Sequence, residues 1–421
     1  MTNKIVPAPS CADPSDPQSI SVAAALQQIT RQVIAISDFN ELPIRECLGR
    51  YSFEQVKSPI NVPAHANSAM DGFAIAFNSL DEDGITHFRE IGTAYAGVNF
   101  EGTCGEKECI RIMTGAVIPE GTDTVIMQEQ AESDGDGLVR VDANHRAGEN
   151  VRYTGEDVAE QQVIIEPGTC INPANLGVLA SLGIASLKVY RKPVVAFFST
   201  GDELVSLGQP LQKGKIYDSN RYTLFGLLSR LPVETLDLGV IKDDPDSLRT
   251  ALLAAAQKAD LIITTGGVSV GDADYIKGIL AEIGDMEFWK IAIKPGRPLT
   301  FGKINNSLFM GLPGNPVAVM VTFEHFVVPT IQQLSGTEPS PPTRLKAISQ
   351  DKLRKLPGRL EIQRGIATRD QNNQWSVCKT GKQGSGILSS MSKANCFILL
   401  NEDNAGVEPG DPVDIQLFDW Q

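Results

Sequence analysis

Between residues 192 and 335, short apolar runs alternate with longer segments of helical periodicity. Buried strands are predicted where the apolar runs are rich in β-branched residues, at 194–198, 234–240, 261–264, 286–293 and 307–311. Helices are predicted between them, at 219–231, 243–258 and 272–283, with another from 317 onwards. Strands that alternate with helices predict a parallel, doubly wound α/β sheet.

The pattern differs on both sides of this region. Apolar positions spaced three and four apart predict a helix over 21–36, and 175–182 predicts another. Residues 85–145 carry short apolar runs separated by Gly, Pro and Asp, which predicts a small inserted β-rich domain. After the proline-rich stretch 336–342, short strands predict a small β-barrel or sandwich over 343–421.

A glycine-rich loop follows the strand at 261–264 and precedes a predicted helix. Three glycines allow the backbone to approach a ligand closely, and hydroxyl and carboxylate side chains stand among them. Carboxylates beside a phosphate site indicate a divalent cation. A plain tight turn between strand and helix is the alternative. The residues concerned are Thr265, Gly266, Gly267, Ser269, Gly271, Asp272 and Asp274.

Other polar clusters also follow predicted strands, and such ends meet at one edge of a parallel sheet. We therefore expect one site that binds a phosphate-bearing ligand there. On one strand, Lys290 and Lys294 would point to the same face, because they are an even number of residues apart, and both could then face one oxyanion. A solvated strand edge is the alternative. The remaining clusters are Thr200-Gly201-Asp202-Glu203, Asp243-Asp244 and Pro313-Gly314-Asn315-Pro316.

Composition narrows the function classes. With 37 basic and 51 acidic residues the chain carries a net charge of −14, which argues against nucleic-acid binding and against attachment to anionic lipid. No run of 18 apolar residues is present, so no membrane span is expected, and the polar residues 1–17 predict a disordered leader rather than a signal peptide. Seven scattered cysteines indicate reduced thiols and a cytoplasmic protein.

Five stretches, in this order and spacing, resemble the MoeA family of molybdopterin molybdenumtransferases, which includes the E domain of gephyrin. The third and fifth stretches also resemble the related adenylyltransferases, whereas the first two single out the transferases. The stretches are Asn67-Ser68-Ala69-Met70-Asp71-Gly72-Phe73-Ala74, Ser199-Thr200-Gly201-Asp202-Glu203-Leu204, Thr265 to Tyr275, Lys294-Pro295-Gly296-Arg297-Pro298 and Gly311-Leu312-Pro313-Gly314-Asn315-Pro316.

The resemblance implies a fold of four domains: an elongated mixed domain I (18–65 and 147–190), an inserted β-rich domain II (66–146), an α/β molybdopterin-binding domain III (191–335) and a C-terminal β-barrel domain IV (343–421). It implies a homodimer whose sites combine domain III of one subunit with domain II of the other. It also implies an activity. The enzyme would insert molybdate into adenylated molybdopterin with Mg²⁺, and hydrolysis of the adenylate would give AMP and molybdenum cofactor.

Roles for individual residues follow from the resemblance. It implies catalytic roles for Asp71, Glu203, Asp243, Asp274, Lys290 and Lys294, and metal binding by Glu203, Asp243 and Asp274. It implies substrate binding by Thr114, Thr200, Gly201, Asp202, Thr265, Gly266, Gly267, Ser269, Gly271, Asp272, Pro313, Gly314, Asn315, Pro316, Arg364 and Ser385.

Two other functions remain open from sequence, a molybdopterin adenylyltransferase and a non-catalytic scaffold of the gephyrin kind. The large domains predicted around the α/β domain disfavour the adenylyltransferase. A molybdopterin adenylyltransferase and proteins that mature molybdoenzymes are expected partners.

Overall fold

The computed structural model describes residues 18–134, 136–266 and 275–420. It divides the chain into two compact units, of which unit 2 is Glu41–Leu48 with Glu54–Lys188 and unit 1 contains Gly49–Phe53, Val189–Gln421 and the chain up to Asn40. The helices are α1 (Val22–Gln32), α2 (Pro173–Ser181), α3 (Ser219–Leu228), α4 (Pro245–Ala256), α5 (Tyr275–Ile283), α6 (Pro316–Thr322), α7 (Val328–Leu334) and α8 (Ser389–Lys393).

Unit 2 is built on a six-stranded sheet of order β4-β1-β3-β2-β6-β5. Its two faces carry separate apolar clusters, one around Phe88 and one around Ile110. Helix α2 begins with a reciprocal cap between Asn172 and Asn175. The strands are β1 (Gly72–Ile75), β2 (Ile85–Ala94), β3 (Glu108–Ile112), β4 (Thr124–Met127), β5 (Ala131–Ser133) and β6 (Leu138–Asp142).

Unit 1 contains the central sheet, of order β8-β7-β9-β12-β11-β10. Its strands are β7 (Val194–Thr200), β8 (Glu234–Ile241), β9 (Leu261–Thr265), β10 (Asp285–Lys290), β11 (Pro298–Ile304) and β12 (Ser307–Leu312). The first four in the order are parallel, but β11 runs antiparallel to both of its neighbours. The sheet is therefore doubly wound but mixed. The prediction of a parallel sheet was incomplete, because the sequence pattern did not reveal β11.

Helices cover both faces of this sheet. Val195 and Phe197 of β7 face a cluster with α1, α3, α6 and α7, whereas Ala196 and Phe198 face α4 and α5. This alternation places one buried layer on each side of the strands. The segment Pro316–Leu334 is long and apolar enough to pass a test for a membrane span by composition, but 61% of it is buried inside the protein, as in a core helix.

The C-terminal strands form a closed barrel rather than a sandwich. The strands β13 (Leu345–Ser349), β14 (Leu360–Arg369), β15 (Trp375–Lys379), β16 (Cys396–Leu400) and β17 (Pro412–Leu417) pair in the order β14-β15-β13-β17-β16, and β16 pairs with β14 to complete the ring. The short strand Ile293–Lys294 adds to β14 in parallel. The chain of the central sheet thus runs directly into contact with the barrel.

The remaining strands are short. Val56–Lys57 pairs with Val163–Ile165, Asn67–Ser68 with Val151–Arg152, and Leu204–Val205 with Ile216–Tyr217. Phe39–Pro43 and Ser186–Tyr190 are also extended.

Two predicted elements end earlier than expected. The N-terminal helix ends at Gln32 rather than at residue 36, with Ser21 accepting a hydrogen bond from Ala24 N at its start. The strand predicted over 286–293 ends at Lys290, because Ile291 bridges to Ile20 and the chain then joins the barrel. The apolar positions of 286–293 form one run in the sequence, so the pattern did not show that the chain passes there from the central sheet to the barrel.

Candidate active site

Three glycines lie where adjacent strands of the central sheet end. Gly266 follows β9 with a φ of +85°, and a Cβ there would lie 2.6 Å from the carbonyl oxygen of Thr200 at the end of β7. Gly201 leaves room for the carboxylate of Glu203, which lies 2.6 Å from the position a Cβ would take. Gly314 follows β12 and packs toward Gly266. The glycines therefore allow the three strand ends and the Glu203 carboxylate to pack closely together.

Carboxylates gather beside these glycines. Burial and the nearby negative charges of Asp202 and Glu203 raise the pKa of Asp243, which follows β8. Asp244 instead caps α4 by accepting from Ser247 N at 3.0 Å. Among the described residues no group of three His, Cys, Asp or Glu side chains is placed to hold a metal ion. The third expected metal ligand, Asp274, lies outside the described residues.

A cavity of about 670 Å³ opens between the sheet edge and the barrel, and we call it the barrel-side cavity. Lys294 lies in its wall, where its ammonium contacts the Glu361 carboxylate at 3.1 Å. Glu361 is 7% exposed and also accepts from Gln363. The wall is formed by Glu203, Ile216, Gly266, Ile293, Lys294, Pro295, Gly296, Arg297, Pro298, Pro313, Gly314, Asn315, Ala318, Arg359, Glu361, Ile362, Gln363, Gln383, Gly384 and Ser385.

A second cavity of about 370 Å³ lies at the strand ends, and we call it the sheet-end cavity. It shares Glu203, Ile216, Gly266, Gly314 and Asn315 with the barrel-side cavity. Its other wall residues are Thr200, Leu204, Tyr217, Asp218, Ser219, Asn220, Thr265, Pro316, Gly386 and Leu388. The two cavities thus meet over the glycines.

Hydroxyl groups line the sheet-end cavity. Thr265 is 2% exposed, and its Oγ1 lies 3.2 Å from Ser199 Oγ, which in turn donates to Asp218 at 3.0 Å. The Thr200 hydroxyl is buried and has no hydrogen-bond partner of normal geometry among the described residues, although it lies close enough to Asp243 to lower its pKa slightly. A buried hydroxyl without a partner is costly unless a ligand satisfies it.

Arg364 lies behind the cavity wall rather than in it. Its guanidinium is 1% exposed and donates to Ser390 Oγ at 3.0 Å and to the carbonyl oxygens of Gln383 and Gly384. Burial lowers the pKa of Arg364 to about 10. The arginine therefore holds the loop whose next residue, Ser385, lines the barrel-side cavity. Substrate binding by Arg364 itself stays a prediction.

The two expected oxyanion lysines are not on one strand. Lys290 ends β10 and contacts Gln18 Oε1 at 3.2 Å, whereas Lys294 pairs with Glu361 across the barrel strand β14. The prediction that Lys290 and Lys294 lie on one strand is wrong, because the chain leaves the central sheet between them, whereas their binding of one oxyanion stays a prediction. Only Lys294 of the pair lines the barrel-side cavity.

Asp71 and Thr114 come together in unit 2, across the ends of β1 and β3. The Asp71 carboxylate accepts from the backbone N–H and from the hydroxyl of Thr114, each at 2.7 Å. These bonds favour the ionised form and lower the pKa of Asp71. Asp71 is thus an exposed, oriented carboxylate.

Of the other predicted site residues, several lie outside the described chain and two stand near the cavities without lining them. Gly201 and Asp202 follow β7 beside Glu203 and are absent from both walls as described. The residues outside the described chain are Gly267, Ser269, Gly271, Asp272 and Asp274.

Some cavity residues were not predicted from sequence. Asp218 and Asn220 begin α3, and an Asp just before a predicted helix is a cap signal that the sequence contained. Arg297 belongs to the quoted stretch 294–298 but was not assigned a role. Glu361 and Arg359 face the cavity only because the barrel packs beside the sheet, which no local pattern records.

Three family models match successive parts of the chain. Residues 20–183 match the model of the MoeA N-terminal region (domain I and II), residues 196–333 match that of a probable molybdopterin binding domain, and residues 346–418 match that of the MoeA C-terminal region (domain IV).

Whole-chain relatives give the same result. A molybdopterin molybdenumtransferase of Haemophilus influenzae is 45% identical over 90% of this chain and 93% of its own length, and one of Bacillus subtilis is 35% identical over 89% of each. The crystal structure of the molybdopterin biosynthesis moeA protein from Pyrococcus horikoshii OT3 has 29% identity and a TM-score of 0.82, covering 95% of this chain and 100% of that one. The chain therefore belongs to the MoeA family, whose curated relatives are named molybdopterin molybdenumtransferases.

Proposed function

We propose that this protein is a molybdopterin molybdenumtransferase that inserts molybdate into adenylated molybdopterin and releases AMP and molybdenum cofactor. The observation that carries the proposal is the pair of adjacent cavities that share Gly266 and Gly314 in their walls, at the carboxyl ends of β7, β9 and β12. Ligands of open α/β sheets bind at this edge. Two adjacent volumes suit a substrate with two separate ends.

Hydrolysis of the adenylate requires orientation and charge stabilisation. A water oxygen adds to phosphorus, one P–O bond of the anhydride breaks, and the water protons are shared between the products. Phosphoryl chemistry of this kind is catalysed mainly by positioning and by charge neutralisation. Glu203 and Asp243 lie beside the strand ends, where burial, and after it repulsion from the charges of Asp202 and Glu203, raises the pKa of Asp243.

That repulsion fits a divalent cation. Oxygen ligands of carboxylates are those that Mg²⁺ prefers, and we assign Glu203, Asp243 and Asp274 to hold it. Bound Mg²⁺ would supply charge neutralisation at the phosphate oxygens. The carboxylates of the chain orient the site and keep the cation position negatively charged.

Molybdate requires cationic or hydrogen-bonding groups. Lys294 and Ser385 line the barrel-side cavity and could hold the oxyanion there, with Arg364 fixing the loop that carries Ser385. Since Lys294 is paired with Glu361, the oxyanion would have to compete with or displace that contact. Lys294→Gln should therefore weaken molybdate use, and raised molybdate should partly restore it. Lys346→Gln is the matched control, because this barrel lysine is also ion-paired, with Asp414 at 2.8 Å, and is absent from the described walls of both cavities.

Neither alternative function is favoured. An adenylyltransferase is disfavoured because MoeA-region matches flank the molybdopterin-binding match on both sides. A non-catalytic scaffold is disfavoured because the bacterial relatives described above carry enzyme names. We assign the protein to the cytoplasm because its cysteines have no pattern of disulfides.

The direct test is incubation of purified protein with adenylated molybdopterin, Mg²⁺ and molybdate. We expect molybdate-dependent release of AMP and formation of molybdenum cofactor in equal amounts. Glu203→Ala should fold normally and lose this activity, because its carboxylate lies at a strand end and contributes little to the core. Wild-type protein that neither releases AMP nor forms cofactor would contradict the proposed function.

The site further requires Asp71, which we assign to the partner subunit of a homodimer. Asp71→Ala and Glu203→Ala proteins, each inactive alone, should regain activity after subunit exchange because a hybrid dimer contains one intact site. Subunit exchange is verified by mass spectrometry. If activity does not recover once exchange is complete, the shared site is contradicted.

A further inference from the structure

The sheet-end cavity contains a hydrogen-bonded chain that runs from a helix cap to its wall. Asp218 caps α3 through Arg221 N at 3.2 Å, and Ser199 Oγ donates to the same Asp218 oxygen at 3.0 Å. Ser199 Oγ also contacts Thr265 Oγ1 at 3.2 Å. Asp218, Ser199 and Thr265 are all at most 2% exposed.

The carboxylate fixes the direction of every proton in this chain. Both Asp218 oxygens already accept from Arg221, one from its backbone N–H and one from Nε at 3.2 Å. Asp218 therefore acts as the acceptor toward Ser199. A hydroxyl has one proton to donate, so Ser199 must accept from Thr265. The Thr265 proton then points away from the cavity, and its free lone pairs remain for a ligand.

The side-chain amide of Asn220 is also fixed so that it leaves an acceptor unused. Its Nδ2 donates to the carbonyl oxygen of Gly314 at 2.8 Å, which can only accept. This leaves Oδ1 as the other end of the amide, and that atom is buried without a hydrogen-bond partner among the described residues. Asn220 and Thr265 both line the sheet-end cavity. Thr265 and the Oδ1 end of Asn220 thus leave acceptor atoms unused at this wall.

We infer that Asp218 is a positioning residue that makes the sheet-end cavity selective for the N–H edge of a heterocycle, with Thr265 and Asn220 as the acceptors. The inference rests on the proposed function, because adenylated molybdopterin carries two such edges, on its pterin and on its adenine. The phosphates of the same substrate lack donors when ionised. They are therefore excluded from Thr265 and belong at the proposed cation site.

The test is the dissociation constant of adenylated molybdopterin in the absence of Mg²⁺ and molybdate, so that no turnover occurs. Ser199→Ala releases the Thr265 proton toward the cavity and should weaken binding roughly three- to tenfold, the factor that one hydrogen bond contributes. If Thr265 instead donates to a phosphate, the same change should tighten binding. Tighter or unchanged binding by a normally folded Ser199→Ala protein would overturn the inference.

Two Asp218 variants separate positioning from helix capping, since Asn and Ser are both good caps. Asp218→Asn keeps an acceptor within reach of Ser199 and should bind within about twofold of wild type. The serine side chain of Asp218→Ser is too short to reach Ser199, so this variant should bind adenylated molybdopterin as weakly as Ser199→Ala. The protein that carries both Asp218→Ser and Ser199→Ala should bind no more weakly than either single variant. Equal binding by the Asn and Ser variants would show that Asp218 only caps the helix.

Separate titrations with AMP and with molybdopterin identify which edge is bound. A loss confined to AMP in Ser199→Ala assigns the cavity to the adenine, and a loss confined to molybdopterin assigns it to the pterin, and either supports the inference. Failure of the wild-type protein to bind adenylated molybdopterin would instead contradict the proposed function. The melting temperatures of all variants provide the control for folding.

Discussion

Gly266→Ala is the substitution that should reveal most clearly how tightly the strand ends are packed. Gly266 has a φ of +85°, and an added Cβ would lie 2.6 Å from the carbonyl oxygen of Thr200. Ordinary contact begins near 3.4 Å, so one of the two strand ends would have to move by about 0.8 Å. The contact is to backbone, which cannot rotate away as a side chain can.

The expected cost has two parts. A non-glycine residue in the left-handed region costs about 1–2 kcal/mol, and overpacking a well-packed site costs about 1–3 kcal/mol. The free energy of unfolding of unit 1 should therefore fall by about 2–5 kcal/mol. Activity should fall as well, because Thr200 and Thr265 would be displaced from the cavity.

Gly314→Ala is the matched control. Its φ lies outside the left-handed region, and among the described residues an added Cβ would contact only Gly266 Cα, at 3.8 Å. The stability of this variant should stay within about 1 kcal/mol of wild type. Because Gly314 lines both cavities, the added methyl group should instead weaken substrate binding.

Urea unfolding followed by intrinsic fluorescence and near-ultraviolet circular dichroism measures the stability of both variants. Steady-state kinetics with adenylated molybdopterin measures their substrate use. A Gly266→Ala protein as stable as Gly314→Ala would refute the close approach of β7 and β9 at their ends.

Three further predictions follow from the titratable groups. Thr114→Val removes one bond to the ionised Asp71 and should raise its pKa from the lowered value, as measured by carboxyl-carbon NMR, whereas Thr114→Ser should leave it unchanged. Protons compete with Mg²⁺ at Asp243, whose pKa is raised, so the affinity for Mg²⁺ should increase with pH through a range above the usual pKa of an Asp. Asp202→Asn removes a charge that raises this pKa and should move the increase to lower pH. Calorimetric titrations that show no pH dependence would contradict this prediction. Alkylation at pH 8, mapped by mass spectrometry, should reach the exposed Cys170 and spare the buried thiols, since burial raises the pKa of Cys109 and Cys396 to about 12. Rapid labelling of Cys109 and Cys396 in the native protein would contradict the burial of β3 in unit 2 and of β16 in the barrel. The buried thiols are Cys47, Cys104, Cys109 and Cys396.

The sequence predicted the strands that end at the site because each is a short apolar run bounded by glycine or proline. β7, β9 and β12 were found within two residues of their ends. The antiparallel strand β11 was missed because its start, Pro298, belongs to a stretch that was interpreted as a loop. Propensity alone does not reveal that this proline begins a strand, where a missing N–H is tolerated.

The candidate site was predictable in part for a similar reason. Residues directly after a strand, such as Thr200 and Gly314, fall on the sheet edge by topology alone. The contact of Lys294 with Glu361 depends on how the barrel packs beside the sheet, and no local pattern encodes that. The same holds for Asp218, whose role arises from Ser199, a residue nineteen positions earlier.

Molybdate is proposed to enter the barrel-side cavity, between the sheet edge and the barrel. A crystal structure with adenylated molybdopterin and molybdate tests this directly, because anomalous scattering locates the molybdenum atom. We expect an anomalous peak inside the barrel-side cavity, within reach of Lys294 and Ser385. A single peak elsewhere on the protein, with this cavity empty, would contradict it.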